Sequence, residues 1–176
     1  MNWNTYFNYN EETGELIWKS RPRSEFRTQS GCSIFHRRFV GTVAGTKKYR
    51  TGTQIKAHVL ISLNGTSYLA HNIIWEMFNG PRSNGTIIDH KDNDPWNNRR
   101  LNLRPSTRSQ NNQNRRMPSH NTTGYKGVSY RNGRYTSKIT SNKVDVYLGC
   151  FDTAEEAHKA YCERANVLHG EFAKHT

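Results

Sequence analysis

From Pro95 to Val144 the chain carries eleven Lys and Arg residues and not one Asp or Glu. A run of that kind cannot neutralise itself, and it contains no long apolar face. Hydrophobic residues make up only 33% of the 176 residues, so any core is modest and much of the chain serves something other than packing. The length suits one ordinary domain, or two small ones sharing a surface. Net charge is +12 with a pI near 9.9, an excess that points to a polyanion, either nucleic acid or an acidic membrane surface. A membrane-surface helix would need the missing apolar face. Tyr125, Tyr130 and Tyr135 interleave with the cations instead, and nucleic acid is the expected partner.

Other classes of chain are set aside by simpler features. Cys32, Cys150 and Cys162 have neither the paired spacing of a zinc site nor the even number of a disulfide set, so reduced thiols are expected. The start, "MNWNTYFNYN", lacks the basic and apolar regions of a signal peptide, and no apolar run could span a bilayer. A cytoplasmic protein with no membrane partner is the expectation.

Several elements can be placed. "GELIWK" and "AHVLISLNGTSYLAH" alternate as strands, and Asn64-Gly65 marks a hairpin because both residues tolerate positive φ. "SRPRSEFRTQSGCS" has no periodicity and is expected as a basic loop. In "AHNIIWEMFNG", Ile73, Ile74, Met77 and Phe78 fall at helical spacing, with Gly80-Pro81 as the stop. A short strand "GTIIDH" follows, then a loop, then "LNLRP". A helix begins at Thr107, whose spacing to Gln110 fits a capping box, and ends before Pro118. "MPSHNTTG" reads as a linker. Beyond it come three strands, with turns at Asn132-Gly133 and Ser141-Asn142. A last amphipathic helix is capped by Thr153 and Glu156 and lined by Ala157, Ala160, Tyr161, Ala165 and Leu168.

The chemistry concentrates in "IIDHKDNDPWNNRRLNLRPSTRSQNNQNRR". Between Asp89 and Arg116 it holds seven asparagines and six arginines. Asp89 and His90 end a strand, where successive side chains point to opposite faces. A hard cation such as Mg²⁺ or Mn²⁺ takes oxygen ligands, here Asp89 and an amide oxygen from the following helix. A neutral imidazole can take a proton from water near neutral pH. Phosphodiester hydrolysis needs an activated water, a metal on the phosphate and leaving oxygen, and further cations for the remaining charge. One carboxylate and one amide do not fill a Mg²⁺ shell, so water and substrate phosphate complete it, and one metal is expected rather than two.

The run from Tyr68 to Asn114 resembles the HNH nucleases, in particular the phage- and intron-type homing endonucleases that carry His-Asn-Asn. "YLAHNIIWEMFNGP" is similar to the segment that precedes their motif. The resemblance implies a ββα-metal (His-Me finger) core. It makes His90 the general base and Asp89 a metal ligand. Asn102 becomes the amide that holds the loop and orients the base, and Asn111 the second metal ligand. Asn112 and Asn114 lie close enough that one register step would change that ligand. Asp92 and Asp94 are expected as solvated loop acids, with a supporting position behind the ligands as the other option. Trp96 either stacks on DNA or packs. His71 is expected to cap or pack its helix, and His36, His58, His120, His158, His169 and His175 carry no site signal.

Arg99, Arg100, Arg104, Arg108, Arg115 and Arg116 would grip phosphates, which adds affinity without sequence information. The tail from "YKGV" through "YLGCFDTAEEAHKAY" to "HGEF" resembles the plant ethylene-response-factor (Apetala-type) DNA-binding domain. That implies a three-stranded sheet in the major groove, with Lys126, Ser129, Arg131, Arg134, Tyr135 and Lys138 as readers.

The expected fold is thus α+β. N-terminal β-strands (1–67) lead into a nuclease core (68–117), then a linker (118–123) and a three-stranded sheet plus helix (124–176). The expected activity is site-directed cleavage of double-stranded DNA by a monomer, a dimer being the other option. The rival reading is a DNA-binding regulator with an inactive core. An RNA-binding protein is less well supported, since no aromatic signature of an RNA-recognition sheet is present.

Overall fold

The computed structural model describes residues 1–118, 120–141 and 143–175. The chain forms two compact units, Met1–Pro105 and Ser106–Thr176. Neither unit, among the described residues, contains a helix long and apolar enough to cross a membrane.

The first unit is built on short hairpins. Strands β1 (Phe7–Asn10) and β2 (Glu15–Trp18) pair antiparallel with Phe7 opposite Trp18. Alternation turns Phe7, Leu16 and Trp18 inward. Helix α1 (Gln29–Phe39) lies where the sequence reads as loop. Thr28 caps it, its side chain accepting from Gly31 N. Cys32 and Phe35 turn into the fold, with Arg37 and Arg38 exposed in the last turn.

Strands β3 (Leu60–Leu63) and β4 (Thr66–Leu69) pair across Asn64-Gly65, whose φ values of 51° and 77° are the positive pair such a turn requires. Helix α2 (Ala70–Asn79) follows directly and stops at Gly80, φ 79°. Its Ile73 and Ile74 are fully buried, each worth about 1.5–3 kcal/mol of transfer free energy. Met77 packs at the margin of the core and Phe78 remains largely exposed. Strands β5 (Ile87–His90) and β6 (Leu103–Ser106) form a third two-stranded ribbon. One buried cluster joins Trp3, Phe7, Leu16 and Trp18 to Ile73, Ile74, Ile88 and Leu103. Residues 1–67 and the first part of 68–117 therefore share a core.

The second unit opens with the six-residue helix α3 (Arg108–Gln113), which carries the Thr107/Gln110 capping box. Strands β7 (Val128–Arg131), β8 (Arg134–Ser141) and β9 (Val144–Phe151) form an antiparallel sheet in that order. Asn132 and Gly133 turn β7 into β8 with φ of 50° and 79°. Of the other expected turn, Asn142 lies outside the described residues, as does Ser119 of the expected linker. Helix α4 (Ala154–His169) has the Thr153/Glu156 capping box and buries Ala157, Tyr161 and Ala165 against Ile139. All three cysteines are free thiols.

Candidate active site

Ile88 anchors β5 in the core, and the next two residues, Asp89 and His90, are both buried, 6% and 4% exposed. A carboxylate and an imidazole taken out of water need partners. Asp89 Oδ2 accepts from Arg104 Nε and pairs with its terminal nitrogen, both at 3.0 Å. His90 Nε2 lies 2.9 Å from Asn98 Oδ1. An amide oxygen only accepts, so this contact places the ring proton on Nε2 and leaves Nδ1 as the basic nitrogen.

The loop between the two strands is held by Asn102. Its side-chain oxygen accepts from Asp92 N at 3.2 Å, and its amide donates to Asp92 Oδ1 at 2.9 Å and to Asn97 O at 2.7 Å. Asp92 also accepts from Asn97 Nδ2 at 2.7 Å and from Asp94 N at 2.8 Å. Partial burial pushes the Asp92 carboxyl up, but the bonds from Asp94, Asn102 and Asn97 outweigh it and hold the group below the usual carboxylate range. Asp94 accepts from Trp96 N and pairs with Lys56. Both acids are thus tied into the loop scaffold. Trp96 packs: its indole N–H donates to Ala57 O at 2.8 Å and its ring meets Tyr49.

A brace from the first hairpin reaches the same loop. Tyr9 Oη accepts from Arg100 N at 2.8 Å and donates to Asn98 O at 3.4 Å. Arg99 Nε donates to Glu12 O at 2.6 Å. The backbone that presents Asn98 to His90 is therefore fixed from residues some ninety positions away.

Two histidines join His90. The ring of His58 stacks on it (5.7 Å, 20°), and that of His71 meets it edge-on (4.9 Å, 81°). His71, on the first turn of α2, is 4% exposed, and its Nδ1 has no hydrogen-bond partner. Burial pushes the His71 imidazole down to about 2, with His90 and His58 acting in the same direction. It is a neutral ring. No spacing in the sequence marks His58 or His71, because the three rings come from three elements.

Asp89, His90, Asn98, Asn102 and Arg104 belong to the first unit, while Asn111 lies on α3 of the second. Asn111 is half-buried, Asn112 exposed and Asn114 buried. Arg99, Arg100, Arg108, Arg115 and Arg116 are exposed. Arg104 is not: its side chain is 7% exposed and paired with Asp89, which sets it apart from the five exposed arginines.

In the tail, the register sets Ser129 opposite Thr136 and Arg131 opposite Arg134. Those residues and Lys138 share the sheet face away from Ser137 and Ile139, which are buried. Tyr135 has the parity of the buried face and packs on Tyr130, ring centroids 4.8 Å apart. Lys126 is half-buried, its Nζ donating to Gln113 O at 3.2 Å and Arg115 O at 2.6 Å. Of the expected readers, Tyr135 and Lys126 are engaged within the fold, while Arg134 and Lys138 pair with the exposed carboxylates of Asp152 and Asp145.

Comparison with known proteins bears on this arrangement. Residues 68–113 match the family model of the HNH endonucleases. Protein 3.8 of Escherichia phage T7 is 34% identical over 106 residues, 59% of this chain and 87% of that protein. The chain belongs to the phage protein 3.8 family and carries an HNH endonuclease domain. Its HNH domain implies a metal-dependent nuclease acting on DNA, and the phage relative fits a phage origin. Ethylene-responsive transcription factors ERN1 also match. The Medicago truncatula protein is 44% identical over 59 residues and the Lotus japonicus protein 45% over 53. These stretches cover 32% and 28% of this chain, but only 22% and 20% of the plant proteins. No solved structure matches.

Within the first unit, Asp89 offers a carboxylate oxygen at the end of β5, the ligand type that a hard divalent ion such as Mg²⁺ or Mn²⁺ takes. The imidazoles of His58, His71 and His90 are donors of another kind.

Proposed function

We propose that the protein is a site-directed DNA endonuclease in which His90 is the general base. The observation that carries this reading is the Asn98 contact at the end of β5, which leaves His90 Nδ1 with its lone pair inside a matched HNH domain. A water proton passes to Nδ1, and the water oxygen attacks phosphorus. The bond from phosphorus to the 3′ oxygen breaks, and that oxygen takes a proton from solvent. The products are a 5′-phosphate and a 3′-hydroxyl, the outcome the HNH resemblance implies.

Asp89 and Asn111 would hold one Mg²⁺ or Mn²⁺ in a ββα-metal core. When bound, the ion supplies positive charge for the scissile phosphate and the leaving oxygen. Asn102 holds the loop that carries Asn98. Arg99, Arg100, Arg108, Arg115 and Arg116 neutralise flanking phosphates. The sheet face bearing Ser129, Arg131, Arg134 and Lys138 reads the major groove, in the manner the resemblance to ethylene-responsive factors suggests. The biology that fits is a homing or free-standing phage nuclease in the host cytoplasm.

A second reading, a DNA-binding regulator with a silent core, draws on one observation: Arg104 already occupies Asp89 Oδ2. Supercoiled plasmid separates the two. The nuclease converts it to nicked or linear DNA with Mg²⁺ or Mn²⁺ and not with chelator, and mapped ends carry 5′-phosphate. His90→Ala lowers the rate by about 10²–10⁴-fold and leaves DNA affinity nearly unchanged. Plasmid left whole with either ion supports the regulator, and undiminished cutting by His90→Ala removes His90 from the mechanism.

A further inference from the structure

His58, His71 and His90 are the described residues whose metal-binding atoms converge as a group of three, one nitrogen of each lying within 4.8 Å of the others. They come from the segment before β3, the first turn of α2 and the end of β5. Two of the three are rigidly placed. His71 rides on a helix anchored by Ile73 and Ile74, and His90 ends a strand anchored by Ile88. His71 Nδ1 is buried without a partner, an arrangement that costs free energy unless something satisfies it.

A neutral imidazole offers a borderline-soft lone pair. Three of them suit Zn²⁺ and its neighbours Co²⁺ and Ni²⁺ and suit Mg²⁺ poorly. We propose that His58, His71 and His90 form a binding site for a borderline transition-metal cation such as Zn²⁺, separate from the oxygen-ligand ion at Asp89, and that its occupation silences His90. Zn–N bonds of about 2.0–2.1 Å in a tetrahedron set the nitrogens about 3.4 Å apart, so the rings draw together on binding. His58 makes that adjustment. It is exposed and lies outside the regular elements, so its ring swings while the other two stay. Water completes the shell, as in open three-histidine sites.

The coupling to catalysis follows from counting lone pairs, and it rests on the reading of His90 as the base. Asn98 holds the proton on Nε2, so His90 has one lone pair, on Nδ1. That pair can bind a metal or receive a proton from water, not both. The site is thus a brake: the nuclease is active with Mg²⁺ alone and is shut by a trace of Zn²⁺.

The test uses the full chain freed of metal. Co²⁺ titration should give a one-to-one complex with the visible ligand-field absorption of a four-coordinate ion, unmoved by a large excess of Mg²⁺ and retained in Asp89→Asn. His58→Ala, at an exposed position chosen to spare folding, should weaken Co²⁺ and Zn²⁺ binding by roughly tenfold or more. His58→Cys should restore binding, since a thiolate also ligates, and add a sulfur-to-metal charge-transfer band. No band in the native chain, equal binding by His58→Ala, or displacement by Mg²⁺ overturns the site.

In the cleavage assay, Zn²⁺ added over Mg²⁺ should suppress cutting. The ratio of rates with and without Zn²⁺, taken within each protein, should return towards one in His58→Ala. Zn²⁺ binding with undiminished cutting overturns the link to His90. A protein that cuts nothing under any metal overturns the endonuclease reading, and the Co²⁺ titration still decides the site.

Discussion

At the scale of single residues, the side chain with most consequence for the loop is Asn102, because it both donates and accepts. Its oxygen takes Asp92 N, and its amide faces two acceptors, Asp92 Oδ1 and Asn97 O. Asn102→Ala removes all three bonds and should cost about 1–3 kcal/mol, read by urea unfolding followed by circular dichroism. Asn102→Asp is isosteric but keeps only the accepting bond, and it sets a second carboxylate against Asp92. It should therefore be less stable than Asn102→Ala, although a larger side chain remains. The opposite order would mean that shape, and not the donated bonds, holds the loop. Asn102 is legible in sequence as the loop-holding amide, yet its partners are not. Asn93 to Asn98 offer several equivalent amides, and only folded coordinates select Asn97 and Asn98. His58 and His71 were silent for a related reason. Each is one histidine beside an alanine, and thirteen and nineteen positions separate the three rings with no spacing rule to link them.

At the scale of elements, the β1–β2 hairpin acts as a brace for the loop. Gly14 at its turn has φ +73°, and a Cβ there would stand 2.5 Å from Arg99 N and 2.7 Å from Asn98 C. Only a residue without Cβ lets the two backbones approach so closely. Gly14→Ala combines left-handed strain with displacement of the segment presenting Asn98, a loss of roughly 2–4 kcal/mol. Its distinctive mark should be on His90. With Asn98 shifted, the ring nitrogens should lose their fixed tautomer, visible in ¹⁵N imidazole shifts, and cleavage should fall by more than DNA binding does. Unaltered imidazole shifts would show that the hairpin merely adds bulk. Elements with local signals were readable: both capping boxes, the Asn64-Gly65 and Asn132-Gly133 turns, and the α2 stripe depend on neighbours within four residues. Helix α1 was not, since Gly31 stands in its first turn and its N-cap, Thr28, sits in a polar run. The brace could not be read at all, being a contact across some ninety positions.

At the scale of the molecule, the unit boundary between Pro105 and Ser106 falls inside both the matched HNH segment and the cationic run. The run therefore supplies cations to both units, and their contributions to DNA affinity can be separated by salt. Each phosphate neutralised adds about 0.9 to the slope of log affinity against log salt. On the tail sheet the cations are not equivalent. Arg134 pairs with Asp152 at 2.9 Å and Lys138 with Asp145 at 2.8 Å, all four exposed. DNA must displace or share those carboxylates, so part of each charge is already neutralised before binding. Arg131 lies on the same face next to Arg134. Arg131→Ala should lower the slope by close to one full phosphate, and Arg134→Ala and Lys138→Ala by distinctly less, in fluorescence anisotropy with duplex DNA across a range of KCl. If the sheet reads bases as well, the same substitutions should narrow the gap between target and unrelated duplex. Three unchanged slopes would take this sheet off the DNA and leave recognition to the cations before Met117.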